Sequence, residues 1–278
     1  SEVLTLPLQD LSRHSACLGG SGSGKTTLAL NVVEQLLEHR VAVILVDRKG
    51  DLCRYGQPNL LDDVVGDAQR TERLRMLLER VDVAVFTPGH PDGRALSIGI
   101  LPAGLDQLEE HERADACRTS AEALGRMLSL KAGAGDQAKL AILVQAVRLL
   151  ADSGSSEVAS IDLIIELVGR ADPSLLERLG YIEPKHCKQL VEQLETLKIM
   201  RGALFSSGIE RLSADLLLGK GTHATDKTRL SVISTKFLGD DPAVLFWVSQ
   251  LLLELGRFVS PNFPARRAAS SITGAHVL

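Results

Sequence analysis

The run Gly19-Gly20-Ser21-Gly22-Ser23-Gly24-Lys25-Thr26-Thr27 has the residue types and spacing that grip a polyphosphate. It fits G-x-x-x-x-G-K-[ST] in full. Its glycines let the backbone curl so tightly that successive N–H groups point inward at phosphate oxygens. Lys25 brings a point charge to the β- and γ-phosphates, and Thr26 offers its hydroxyl to Mg²⁺. The helix expected to follow aims its positive end at the same anion. A flexible glycine-rich turn is the plain alternative, but such a turn has no need of Lys25 and Thr26. ATP with Mg²⁺ is the expected ligand, bound by residues 19–27, with Lys25 as a catalytic candidate and Thr26 on the metal.

Asp47 is the second catalytic candidate. It closes the apolar run Val41-Ala42-Val43-Ile44-Leu45-Val46 and opens Asp47-Arg48-Lys49-Gly50-Asp51. A carboxylate at a strand end can hold Mg²⁺ or its water, as in a Walker B motif. The same segment fits the D-x-x-G of GTPase switches, and an acidic residue is also common where a strand turns. The GTPase reading fails, because too few residues separate Thr26 from Asp47 and no Asn-Lys-x-Asp guanine reader occurs in the chain. The Walker B reading is incomplete, because Arg48 stands where a glutamate is wanted. Support of the metal and a purely structural turn both stay open.

The elements that must position these residues follow from periodicity. Ser15-Ala16-Cys17-Leu18 is expected to be the strand feeding the glycine loop, with a helix over residues 28–39 carrying Leu28, Val32 and Leu36 at helical spacing. The continuous apolar run 41–46 suits a central parallel strand. A helix over 68–80 and a third strand at 81–86, ended by Thr87-Pro88-Gly89, complete an α/β layered pattern. Beyond it the texture becomes mainly helical, with helices expected over 107–130, 137–152, 161–169, 173–179 and 184–200. A polar hinge is expected at 151–156. Arg229-Leu230-Ser231-Val232-Ile233-Ser234 returns to strand character, and Asp240-Asp241-Pro242 signals the start of a long helix through Phe258. The expected organisation is an N-terminal core part at 1–102, a helical insertion at 103–219 and a return to the core at 220–278.

The 278 residues carry 45% hydrophobic and 24% charged residues, enough for a packed core. A net charge of −4 excludes a basic field over the whole surface, and 3% aromatic residues argue against a face of base-stacking platforms. Four scattered cysteines with no C-x-x-C pair argue against a zinc site or a disulfide framework and point to the cytoplasm. The seven histidines make no H-x-x-x-H pair. No apolar run reaches the ~18 residues of a membrane span, and the first residues lack the pattern of a signal peptide, so neither is expected.

The glycine loop, then Val-Ile-Leu-Val-Asp47-Arg48-Lys49-Gly50-Asp51, then Val85-Phe86-Thr87-Pro88-Gly89, resemble the HerA/FtsK superfamily of hexameric motor ATPases, and the HerA-like bacterial members most. Residues 229–239 and the helix after them resemble the strand and helix that precede Walker B in that family. Gly202-Ala203-Leu204-Phe205-Ser206-Ser207-Gly208 carries a looser similarity. The resemblance implies a P-loop NTPase fold of RecA/FtsK type, with a parallel sheet and flanking helices. It also implies an ATPase that moves double-stranded DNA through a homohexameric ring, in some cases beside a partner nuclease. An arginine from a neighbouring subunit would then stabilise the transferring phosphoryl group. Arg201, Arg211 and Arg229 are candidates for it, and Lys220 and Lys227 for contacts to the phosphate backbone. Ordinary salt-bridge and surface roles compete for all five.

The family pattern also wants an apolar strand ending in Asp-Glu after the long helix. No acidic residue follows Glu254, and 261–278 reads as neither that strand nor a polar sensor. The expectation is a chain that stops before those carboxylates, lacks the N-terminal barrel of many relatives, and hydrolyses ATP slowly. Two other readings stand beside the motor: a nucleotide-binding regulatory module with little or no hydrolysis, and a small-molecule P-loop kinase.

Overall fold

The computed structural model describes residues 7, 10–12, 15–57, 59–61, 68–90, 94–102, 105–154, 159–205 and 210–259. The expected tail 261–278 and Ser206-Ser207-Gly208 lie outside them, as do residues 155–156 of the expected hinge, whose 151–152 instead end a helix and whose 153–154 form a turn. The chain divides into two compact units. One holds residues 1–86, 214–234 and 269–278, the other 87–213 and 235–268.

The first unit is built on a parallel sheet. Helix α1 (Lys25–Glu38) leads through residues 39–42 into β1 (Val43–Asp47). Helix α2 (Ala68–Arg80) runs directly into β2 (Val81–Phe86). The short helix α8 (Ala214–Leu218) precedes β5 (Thr228–Ser234). The strand order is β1-β5-β2, with both pairings parallel.

Alternation along the strands sorts the two faces. Val43, Leu45, Val83, Val85, Leu230 and Val232 point to one side, where Leu30, Val33 and Leu37 of α1 and Leu74 and Leu77 of α2 cover them. The other face carries Ser231, whose hydroxyl donates to the carbonyl of Leu217 in α8 at 2.7 Å. On that face Asp82 and Arg229 stand directly opposite each other in register, and their side chains pair at 2.9 Å. Arg229 is 7% exposed, so this ion pair locks the β2–β5 register from within.

Two strand expectations are corrected. Residues 15–18 form no strand, and Leu18 is 90% exposed. A four-residue segment needs a ladder partner, and none of the described strands pairs with it. The apolar run at 41–46 is an edge strand, not a central one: β5 fills the centre, and Val46 at the edge is 44% exposed. Two buried serines disguise β5 as a less apolar strand, yet it is the more enclosed of the two.

The second unit is mainly helical. It contains α3 (Glu110–Met127), α4 (Ala134–Asp152), α5 (Ile161–Gly169), α6 (Pro173–Leu179), α7 (Pro184–Phe205) and α9 (Asp241–Val259). A parallel pair of two-residue strands, β3 (Leu96–Ser97) and β4 (Glu210–Arg211), had no signal in the sequence. The helix starts follow local chemistry. Ser160 accepts from the Leu163 amide, and Asp172 accepts from Ser174 and Leu175 ahead of Pro173. Helix α7 extends past the expected 200 to Phe205 and kinks at Arg201. By length and composition alone α9 could cross a bilayer. Its Ala243, Phe246, Trp247, Leu251 and Leu255 are buried, it packs on α3, and Gln250 donates to the Ser120 hydroxyl there at 3.2 Å. That is the signature of a core helix.

Candidate functional site

The glycine loop runs straight into α1, and the junction is made for an anion. Gly24 takes the N-cap position with φ 83°, a left-handed conformation that an L side chain adopts only with strain. A Cβ at Gly19 would come within 2.5 Å of Ser23 Oγ, so the curl needs glycine there for space. No side chain caps α1, and no acidic residue stands in its first turn. The first amides of a helix have no partner inside it, so here they are left to an outside acceptor. Lys25 curls back over the loop, its Nζ donating to the carbonyls of Gly19 (2.8 Å) and Gly20. Thr26 is exposed beside it. These groups fit a Mg²⁺–nucleotide: backbone amides and an ammonium for phosphate, a hydroxyl for the metal. The fit needs no strand at 15–18.

Helix α1 packs on the sheet along its length through Leu30, Val33 and Leu37 and turns into β1 after four residues. It therefore runs back against β1, which puts the loop at the carboxyl end of the strands. Ligands bind at that end in open α/β sheets. Asp47 and Ser234, in register with each other, close β1 and β5 there.

Asp47 is buried, and its carboxylate serves the turn that follows. Oδ1 accepts from the Lys49 and Gly50 amides at 3.0 and 2.8 Å, and Oδ2 from the Leu52 amide at 2.7 Å. The Cys53 thiol lies 3.7 Å from Oδ2. Three charge-assisted bonds organise 49–52 and start the 3-10 turn Leu52–Gly56. That turn is held at its far end too. The Tyr55 hydroxyl donates to Glu34 Oε1 on α1 at 2.9 Å, and burial with the nearby Glu34 charge raises the Tyr55 pKa well above its ordinary value. No local pattern marks this Tyr55–Glu34 brace between the turn and the loop-bearing helix.

The three arginine candidates are all engaged within the fold. Arg201 donates to the Leu238 carbonyl at 3.1 Å and pairs with Asp240 at 2.8 Å. Arg211 donates to the Leu101 carbonyl at 3.3 Å. Arg229 pairs with Asp82 and donates to His223 O at 3.4 Å. Each lies against a glycine with no room for a Cβ: Arg201 on Gly239, Arg211 on Gly99 and Arg229 on Gly219. Lys220 and Lys227 precede β5 and so stand at the amino end of the strands, away from the loop. Burial pulls the Lys220 pKa below the usual lysine value.

A parallel sheet carrying a complete phosphate loop on its first helix defines a P-loop nucleotide-binding fold, and the family match makes it a P-loop ATPase of the HerA/FtsK type. The family model of the helicase HerA central domain matches residues 3–171, and the chain belongs to that family. The match spans the glycine loop, Asp47 and the helices through α5. Strand β5 and helix α9, likened above to the elements before Walker B, lie outside it. No curated protein and no solved structure matches the chain.

Proposed function

We propose that the chain binds ATP with Mg²⁺ through Gly19 to Thr27 and serves as the motor part of a cytoplasmic ring that moves double-stranded DNA. The observation that carries the nucleotide reading is the uncapped α1 terminus behind the full glycine loop. Membership of the HerA family supports the motor reading. A net charge of −4 means that a single copy has little general attraction for DNA, so binding relies on a ring that gathers basic side chains around one channel.

Turnover by these 278 residues is slow in this proposal. Hydrolysis needs Mg²⁺ held on its far side and a base for the attacking water. The oxygens of Asp47 are committed to backbone amides, and Arg48 is no base. The expected rate lies well below the ~1–10³ s⁻¹ typical of enzymes. The same commitment of Asp47 favours a second reading, a nucleotide-binding regulatory module that acts without turnover.

Light scattering with and without ATP, followed by salt titration of binding to a duplex, separates the two. The motor reading predicts ATP-dependent assembly and DNA affinity that falls steeply with salt. A chain that stays monomeric with ATP and ignores duplex DNA leaves the regulatory module.

A further inference from the structure

A groove of about 630 Å³ opens beside the glycine loop, between α1 and α2. Gly24 at the N-cap and Thr27, Asn31 and Glu34 of α1 line it on one side, and Gln69 and Arg70 of α2 on the other. Spacings of three and four put those α1 residues on one face of the helix. A polyphosphate held by residues 19–27 leaves its organic end next to Thr27, which the loop and the groove share.

The charged members of the groove are engaged by the protein itself. Glu34 accepts from Tyr55. Arg73, also in the wall, grips Glu38 with two bonds of 2.7 and 3.1 Å. Arg70 is engaged as well. The neutral groups are the ones left over: among the described residues the side-chain amides of Asn31 and Gln69 make no hydrogen bond. With Arg73 held by Glu38 and Arg70 already engaged, the groove is poorly suited to a further phosphate. An amide both donates and accepts, which matches the mixed edge of a sugar or a base.

We propose that this groove is the nucleoside subsite, with the sugar and base of the bound nucleotide lying along α1 and hydrogen-bonded by Asn31 and Gln69. The proposal rests on the nucleotide-binding reading above. The step from Thr27 to Asn31 is about 6 Å along the helix axis, within reach of a group attached to the α-phosphate.

Calorimetry with two probes, Mg²⁺–ADP and Mg²⁺–tripolyphosphate, tests it. Asn31→Ala is expected to weaken ADP binding about 3- to 10-fold. Adding Gln69→Ala weakens it further, and tripolyphosphate affinity stays unchanged in both variants. Asn31 and Gln69 are exposed helix residues, and alanine is the stronger helix former, so the variants fold. Lys25→Ala weakens both probes. Equal ADP affinity in the wild type and the double variant overturns the subsite and leaves the phosphate loop standing. Parallel loss of both probes in the double variant shows that the amides act on the loop, which also overturns it. A wild type that binds neither probe overturns the subsite together with the nucleotide reading.

Discussion

Asp47 satisfies two sequence readings, and what converges on it supports the structural one. Spacing left it between metal support and a turn. The amides of Lys49, Gly50 and Leu52 supply the difference, and no motif encodes their convergence. Asp47→Asn keeps the shape but removes the charge and one acceptor oxygen. It is expected to lower stability by about 1–3 kcal/mol, visible as a fall in Tm, while nucleotide affinity drops less than in Lys25→Ala. Unchanged Tm with a lost Mg²⁺ dependence would return Asp47 to the metal. Cys117 gives a second check at this scale. Burial raises its thiol pKa from 9.0 to about 11. The unfolded chain then loses its proton first as the pH climbs, so this group's contribution to stability is present below pH 9 and is lost between about 9 and 11. Cys17 is exposed, so a thiol reagent at pH 8 should label it quickly and Cys117 only on unfolding.

At the scale of elements, periodicity located the helices well. The helices at 161–169 and 173–179 carry strong start signals, Ser160 and Asp172-Pro173, and the structure places them at those bounds. Strands were harder. Residues 15–18 have strand-like composition, but a strand exists only where a partner pairs with it. The run 41–46 looks central because it is uninterrupted, whereas Ser231 and Ser234 make the real central strand look peripheral. The hydroxyl of Ser231 is satisfied by Leu217 O, a long-range bond that no local window sees. Arg229 acts at this scale too, through its pair with Asp82. Arg229→Ala leaves Asp82 unpaired in the β2–β5 ladder. Asp82 is partly exposed, so the cost should fall near the lower end of the ~3–5 kcal/mol seen for broken buried pairs. A chemical denaturation curve measures it. Full stability in that variant, with turnover abolished, would mark Arg229 as the arginine that a neighbouring subunit uses.

At the scale of the whole molecule, the phosphate loop, the parallel strands and the run into Asp47 carried the family assignment, because they are local and their chemistry tolerates little change. The helical second unit was legible as helices but not as a function. Its packing depends on pairs such as Gln250–Ser120 that are 130 residues apart. Everything proposed for the chain as a motor or a regulatory module depends on nucleotide binding at the α1 terminus. Isothermal calorimetry of Mg²⁺–ATP against the wild type and Lys25→Ala tests that most directly. Saturable one-site binding is expected of the wild type, with a loss of about 10-fold or more in the variant, whose Tm without ligand is unchanged. Equal affinity in the two proteins, or no binding by the wild type, would contradict it.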